Sequence, residues 1–306
     1  MDVKLFVCIF DDARLLPHFL RHYDRFGITE FHIAAAPHLA EYVSTVSAGY
    51  KVVQYNEFDV AESVTGGVSA VAAMRERAQE ADEWVVIVDL DEFVEFDVPV
   101  PQTIASMEAE GANVARGINY DRFAADGRPR PFDDSSDLST LFPVRARFVR
   151  NVMGGTDVKG VLVRGHLASR KGVGHHVFEN EVLYSKVFEI SHYKWTDPSL
   201  KRMRQAYEMS KAAGRDWADE YQVVLDHYAT HGRFAWETFG GELAEPARRL
   251  AEVERTAAEL TAELQAIKQR RVVRLADRIL SADSWRRRAY ERLTKRKNKR
   301  PAQSPG

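Results

Sequence analysis

The chain has 306 residues, of which 45% are hydrophobic and 29% are charged. This composition is typical of a soluble globular protein, and the length suffices for one large domain or two ordinary ones. A single cysteine, Cys8, excludes an intrachain disulfide and a thiolate metal cluster, which fits a reducing compartment. The charged N-terminus does not fit a signal peptide, and the lack of any run of about 18 apolar residues does not fit a membrane span.

The formal net charge of −2 is unevenly distributed along the chain. Residues 268–300 contain fourteen Lys and Arg but three Asp and Glu, a local excess of eleven positive charges. The remaining residues therefore carry a net charge of −13. This asymmetry predicts an acidic body with a basic C-terminal tail.

Strands and helices alternate through the first 90 residues. The apolar run 3–10 predicts a strand covered on both faces. Apolar residues at helical spacing predict a helix over 13–27 that ends at Gly27. The same criteria predict strands at 28–35, 50–56 and 83–90 and helices at 39–46 and 66–82. This order predicts an α/β fold with a mainly parallel sheet, helices on both faces and a ligand site at the C-terminal edge of the strands.

The second half of the chain is less regular. A Pro-, Asp- and Ser-rich segment at 126–137 predicts a surface loop, further strands follow, and residues 199–228 have a helical pattern. Apolar residues then recur at intervals of three and four, at Leu250, Val253, Ala257, Leu260, Leu264 and Ile267. This pattern fits either a short coiled coil, with a homodimer through residues 245–270, or one amphipathic helix packed on the body.

The segment VVIVDLDEFVEF (85–96) places four apolar β-branched residues directly before a cluster of carboxylates. If the strand continues to residue 91, Asp89 and Asp91 share one face at the edge of the sheet. Close carboxylates raise each other's pKa unless a cation lies between them. Mg²⁺ or Mn²⁺ suits such a site, because it binds one or two carboxylates together with water and substrate phosphates. The alternative is that these acids simply begin a solvated loop.

Several segments resemble GT-A-fold glycosyltransferases of the family 2-like group. They span about residues 1–200 and are CIFDDARLLPHFLRHYDRFGITEFHI, ADEWVVIVDLDEFVEF, VKGVLVRG, GHHVF and ISHYKW. The resemblance implies a GT-A (Rossmann-like) catalytic domain over 1–198, a helical region at 199–240 packed on it, and a helical or coiled-coil extension at 241–306. The chain departs from the pattern at IAAAPHLA after the second strand, where many such enzymes have an Asp-rich loop that helps to hold the nucleotide.

The resemblance implies an inverting hexosyltransferase that depends on Mn²⁺ or Mg²⁺ and uses a nucleotide-sugar donor, with a UDP-sugar favoured. The acceptor would be a carbohydrate or lipid-linked hydroxyl. Asp91 would bind the metal directly, while Asp89 would contact the ribose or reach the metal through water. His192 would be a further ligand, with a backbone-satisfied histidine as the alternative. His175 and His176 are rival candidates for metal ligation or general base catalysis.

The resemblance also assigns residues to the donor nucleotide. Asp11, Asp12 and Arg14 follow the first strand and would hold the nucleobase and ribose. Either aspartate could instead, or in addition, cap the helix that follows. Candidates for binding the diphosphate, each with a solvated strand residue as the alternative, are Lys159, Arg164 and Lys194.

An inverting enzyme needs a base that deprotonates the acceptor hydroxyl. The candidates are Asp121, Asp133, Asp134, Glu179 and His176. Asp121 follows a predicted strand and lies beside aromatic residues suited to a sugar face. Glu92 would either orient the pair of aspartates or touch the acceptor.

Other interpretations stay open for the tail and for the whole chain. Residues 284–300 mix basic and aromatic side chains, which fits an anionic membrane surface or a solvated tail, whereas the rest of the chain does not support nucleic-acid binding. The expected location is cytoplasmic, either free or peripheral at the inner face of the plasma membrane. Two competing functions are a non-enzymatic scaffold and a phosphatase of the haloacid-dehalogenase type, which would have its Asp-x-Asp near the N-terminus.

Overall fold

The computed structural model describes residues 2–56, 64–168, 174–197, 199–212, 214 and 218–243, and single positions at 261, 287, 288, 291 and 292. Residues 1–244 form one compact unit and residues 245–306 a second. The segment 245–270 and the basic tail lie outside the described residues, apart from those single positions, which are helical and exposed. The coiled coil, the homodimer and the membrane-binding tail therefore stay predictions.

The first unit alternates strands and helices along the chain. Its strands are β1 Lys4–Ile9, β2 Glu30–Ala35, β3 Val52–Tyr55, β4 Trp84–Ile87, β5 Glu92–Glu95, β6 Val114–Phe123, β7 Val144–Ala146, β8 Val158–Arg164, β9 Leu183–His192 and β10 Glu242–Leu243. Its helices are α1 Leu16–Arg25, α2 Ala40–Val46, α3 Val64–Ala78, α4 Val100–Ala109, α5 Leu138–Leu141, α6 Ser199–Ala212 and α7 Ala218–His231. The elements predicted in the first 90 residues are all present, and most are shorter than predicted.

The strands form one mixed sheet in the order β10-β7-β6-β8-β4-β1-β2-β3. The four strands from β3 to β4 are parallel to one another. Beyond β4 the neighbours β8, β6, β7 and β10 alternate in direction. Strand β9 adds a parallel partner to β6 and an antiparallel partner to β5. The predicted α/β fold is confirmed; the four adjacent parallel strands form one half of the sheet, and β6 with β9 is a further parallel pair.

Strand β1 is apolar on both sides because a helix layer covers each face of the sheet. Leu5 and Val7 belong to a core that includes side chains of α1, whereas Phe6 and Cys8 belong to a second core that includes side chains of α3. Successive side chains of a strand point to opposite faces, so a continuous apolar run is required where both faces are buried.

Helix α1 shows how the local sequence positions the first loop of the site. Leu16, Phe19 and Tyr23 lie at helical spacing and are fully buried against the sheet. Pro17 lies in the first turn, where a missing amide hydrogen costs little. The helix ends before Gly27, whose φ of 84° lies in the left-handed region that favours glycine.

The helices α6 and α7 share a third core with the antiparallel half of the sheet. Their side chains Met203 and Val224 contribute to a cluster of buried aromatic residues from several elements. The aromatic members are Phe123, Phe148, Trp195, Phe234 and Phe239.

Within the described residues, no helix has both the length and the apolar character needed to cross a membrane.

Candidate functional site

The candidate site lies where β1 and β4 end. These strands are adjacent and parallel, with Lys4 opposite Val85 and Phe6 opposite Ile87. The loop after β1 carries Asp12, and the loop after β4 carries Asp91. Loops at the C-terminal edge of a parallel sheet converge on the position where α/β proteins bind their ligands.

Asp89 and Asp91 lie in a tight turn and not on a strand. Strand β4 ends at Ile87, so the condition under which the two aspartates would share a strand face is not met. The Glu92 amide donates to the Asp89 carbonyl at 3.0 Å, and the Asp89 amide donates to the Glu92 carboxylate at 2.9 Å. These reciprocal bonds close the turn, and as a result the two aspartates meet different partners.

Asp89 is paired with a buried lysine. Lys159 Nζ lies 2.5 Å from Asp89 Oδ2 and 2.7 Å from Glu92 Oε2, and its side chain is 5% exposed against 60% for Asp89. Although the side chain is largely exposed, local desolvation of the Asp89 carboxyl would raise its pKa, but the Lys159 ammonium outweighs this effect and lowers that pKa. Lys159 does not fit the prediction that it binds a diphosphate, because its ammonium group is already paired with two carboxylates of the chain.

Glu92 completes this pair as an internal support. Its carboxylate accepts from Lys159, from the Asp89 amide and, at 3.3 Å, from Asn119 Nδ2. Only 3% of the side chain is exposed. The predicted catalytic role of Glu92 therefore fits poorly, whereas its predicted role in orienting the aspartates fits these contacts. We name Asp89, Glu92 and Lys159 the lysine cluster.

Asp91 faces a histidine instead. His192 Nε2 lies 3.5 Å from Asp91 Oδ2, and His192 Nδ1 lies 2.9 Å from Asp121 Oδ1. Burial alone would lower the pKa of His192, but Asp91 and Asp121 outweigh it and raise the pKa to about 10. Burial would likewise raise the pKa of Asp91, but His192 lowers it well below its usual range. We name Asp91, Asp121 and His192 the histidine cluster.

Asp121 is the inner anchor of the histidine cluster. Its side chain is fully buried and accepts from His192, from Trp195 Nε1 at 2.8 Å and from the Val149 amide at 2.9 Å. Three internal donors and no exposed surface do not suit a base that must reach an acceptor substrate. The predicted catalytic role of Asp121 is therefore replaced by a positioning role.

The histidine cluster has the donor set for a divalent cation. The Nδ1–H of His192 points to Asp121, and a cation that displaces the Nε2 proton would meet the Nε2 lone pair on the side of Asp91, as in carboxylate–histidine–metal arrangements. An imidazole and a carboxylate fit Mn²⁺, which completes its shell with water and substrate phosphates. Within the described residues no group of three or more His, Cys, Asp and Glu side chains converges as a metal site. Asp89, the third predicted ligand, is paired with Lys159 instead.

The loop after β1 is ordered by an arginine. Asp12 accepts from the Arg14 amide at 3.1 Å and from the Arg14 guanidinium at 3.0 and 2.8 Å. Helix α1 has no side-chain cap, so the alternative that an aspartate caps it is wrong. The Arg14 guanidinium also lies 5.4 Å from the ring centre of Phe132, and the neighbouring Asp11 is exposed. Charged and aromatic groups suited to a nucleoside therefore line this loop.

Two of the three predicted diphosphate cations do not fit that role, one because of its partners and one because of its position. Lys159 belongs to the lysine cluster, and Arg164 lies opposite Trp84 at the amino end of β4, on the far edge of the sheet. There Arg164 lines a separate cavity with Asp82 and Glu108. Lys194 lies near Asp91 and contributes to lowering its pKa, after the larger effects of burial and His192.

The histidines that precede β9 differ in exposure. His175 is buried, and burial together with the Lys159 ammonium lowers its pKa to about 3. His176 is half-buried, and its Nδ1 lies 2.5 Å from the Val158 carbonyl. Nδ1 of His176 is therefore the donor, and its Nε2 is left as the proton acceptor.

Sequence reasoning missed Arg202 of α6. Its Nη1 lies 3.6 Å from Asp12 Oδ2, and its Nη2 donates to the Lys194 carbonyl at 3.4 Å. The residue lies beyond the segments that carry the family resemblance, in a helix with many basic residues. No spacing in the sequence distinguishes it from its neighbours Lys201 and Arg204.

Comparisons with known proteins give distant similarities. No family model and no curated protein matches the chain. A structure of HddC from Yersinia pseudotuberculosis aligns with a TM-score of 0.29 and 11% identity over 40% of this chain, which spans 60% of that protein. A second HddC structure, complexed with GMP-PN, has a TM-score of 0.29 and 10% identity over 42% of this chain and 67% of that one. A 4-diphosphocytidyl-2C-methyl-D-erythritol synthase from Anaerococcus prevotii has a TM-score of 0.37 and 10% identity over 70% of this chain and 96% of that one. Similarity at this level does not carry a function from those proteins to this chain.

Proposed function

We propose that the chain is a divalent-metal-dependent, inverting glycosyltransferase that moves a sugar from a nucleotide-diphosphate sugar to an acceptor hydroxyl. The observation that carries this proposal is the Asp91–His192 pair, whose imidazole is oriented from behind by the buried carboxylate of Asp121. The pair lies at the sheet edge beside a loop suited to a nucleoside. This combination is what binding a metal and a nucleoside diphosphate together requires.

Different residues of the site bind different parts of the nucleotide-sugar donor. Arg14 and Asp12 hold the nucleoside, and the exposed oxygen of Asp89 accepts from a ribose hydroxyl while Lys159 fixes its other oxygen. Asp91 and His192 hold the cation, and Lys194 provides positive charge for the phosphates. When bound there, Mn²⁺ or Mg²⁺ supplies Lewis-acid stabilisation of the departing diphosphate.

His176 is the base that the geometry favours. Its Nδ1 is fixed on the Val158 carbonyl, so Nε2 is free to accept the proton of an acceptor hydroxyl. Glu92 and Asp121 already accept hydrogen bonds from donors within the chain, so neither carboxylate suits the role of the catalytic base. His176→Asn should lower kcat by about 100-fold or more while leaving donor binding unchanged. A normal kcat in that variant would exclude His176 as the base.

The test of the proposed function is release of nucleoside diphosphate from a panel of nucleotide sugars with Mn²⁺, for the wild-type chain and for Asp91→Ala. UDP-sugars are expected to be the substrates. Release should require the wild-type aspartate, and the product anomer should be inverted relative to the donor. Absence of both turnover and nucleotide binding across the panel would favour the scaffold alternative.

A further inference from the structure

Arg202 contacts the loop after β1 and the segment that follows β9, and both contacts are weak. Its nearest carboxylate, Asp12, is 3.6 Å away, and its bond to the Lys194 carbonyl measures 3.4 Å. Ordinary N–H···O bonds in proteins cluster near 2.9 to 3.0 Å. The Nε atom of Arg202 is buried and has no hydrogen-bond partner among the described residues. A guanidinium group carries five donors, so most of this capacity is unused.

Asp12 does not supply the missing partner. Both of its oxygens already accept from Arg14, at 3.0 Å from Nε and 2.8 Å from Nη2. The side chain of Arg202 is 23% exposed, so it is withdrawn from bulk water as well as weakly bonded. Leaving a guanidinium group in this condition is costly unless an anion completes it.

The position of Arg202 indicates where that anion would lie. Its two contacts are with Asp12, in the loop after β1, and with the backbone of Lys194, two residues beyond His192, so the guanidinium lies close to both parts of the site. Arg202 thus faces the space between the loop after β1 and the Asp91–His192 pair. Of the other basic groups there, Lys159 is held by two carboxylates and Arg14 by Asp12, while Lys194 is the second cation that the proposed function assigns to the phosphates.

We propose that Arg202 is a substrate-binding residue whose guanidinium binds the terminal phosphate of the nucleoside diphosphate. This inference rests on the proposed function and adds to it a residue of α6. A planar fork of N–H donors matches the oxygens of a phosphate group, whereas an ammonium group does not. Arg202 therefore distinguishes a diphosphate, which reaches it, from a monophosphate, which does not.

The experiment compares nucleotide pairs by calorimetry on the full chain with Mn²⁺. The ligands are UDP with UMP, GDP with GMP and CDP with CMP, and the variants are Arg202→Gln and Arg202→Lys. The matched control is Arg204→Gln, which removes an exposed arginine from the same helix. Arg202→Gln should weaken the diphosphate that binds wild type by about 10- to 100-fold, leave the matching monophosphate nearly unchanged, and spare the fold. Arg202→Lys should recover part of the loss.

The possible failures are distinguishable. If the wild-type chain binds none of the nucleotides, the proposed function fails. If wild type binds a diphosphate and Arg202→Gln binds it equally well, or loses diphosphate and monophosphate by the same factor, the role of Arg202 is wrong while the proposed function stands. If Arg202→Gln does not fold, the ratio of diphosphate to monophosphate affinity in Arg202→Lys decides, and a wild-type ratio overturns the inference.

Discussion

The lysine cluster and the histidine cluster hold neighbouring aspartates of one turn in different ways. Asp89 meets an ammonium group that is buried and bonded to a second carboxylate, so its cation is built into the chain. Asp91 meets an imidazole, which can release its proton and offer a lone pair to a metal. Two carboxylates two residues apart therefore need not share one ion. The first cluster stabilises the turn, and the second is the one that can exchange a proton for a cation.

The largest effect should follow from removing the acid of the histidine cluster. Asp91→Ala should lower transfer activity at saturating Mn²⁺ by about 10³-fold or more, because metal stabilisation of the leaving group contributes several kcal/mol. Asp89→Asn should lower the transfer activity less, since Asp89 lies outside the Asp91–His192 pair. The measurement is kcat/KM for nucleoside diphosphate release. Equal losses in both variants would show that the two clusters act as one site.

The next largest effect should be on stability and should come from the lysine cluster. Lys159→Met removes the cation from two carboxylates and should lower the free energy of unfolding by about 3–5 kcal/mol. Urea denaturation gives this value. Lys186→Met, which breaks an ion pair with Asp97 between two largely exposed side chains, is the control and should cost less than about 1 kcal/mol. A Lys159→Met protein as stable as the control would mean that the cluster does not hold the turn.

A buried histidine outside both clusters should contribute to the loss of stability in acid. Burial lowers the pKa of His22 from 6.5 to about 4, and its Nε2 donates to the Val94 carbonyl at 2.9 Å. A folded-state pKa below the unfolded value gives stability that is complete above pH 6.5 and is lost as the pH falls toward 4. The loss should reach about 3 kcal/mol. His22→Gln should flatten the curve of unfolding free energy over this pH range, and an unchanged slope would assign the acid sensitivity to other groups.

The smallest effect is expected from removing the charge of Asp121, and it tests the positioning role of that residue. Asp121→Asn keeps an oxygen for His192 but removes the charge behind the ring, and should weaken Mn²⁺ binding by about 10- to 100-fold. Electron paramagnetic resonance of free Mn²⁺ measures this affinity without turnover. Asp134→Asn, at an exposed position, is the control. Wild-type affinity in Asp121→Asn would leave His192 positioned by packing alone.

The parallel half of the fold was predictable because each of its strands is continuously or mostly apolar. The end of β4 was not, since the alternation of Asp89 and Asp91 suits a strand as well as a turn. What decides between them is Glu92, whose carboxylate bonds back to the Asp89 amide. That bond depends on Lys159, which lies far along the chain.

The partners inside the candidate site were less predictable than its location. Asp121 and His192 are 71 residues apart and meet because β6 and β9 pair in register. Pairing of this kind is set by the whole sheet and leaves no local pattern. The sequence could place acids at the sheet edge, but it could not show which of them are buried, and burial separates the supporting residues from those that can meet a ligand.

The double attachment of Asp121 has a consequence for how small an autonomous folding unit of this chain can be. The same carboxylate that orients His192 also accepts from Trp195, which packs in the aromatic core shared with α6 and α7. A fragment that stops at residue 198 would retain every predicted acid of the site, yet it would expose that core. We therefore expect the shortest fragment that folds and binds metal to extend through residue 243.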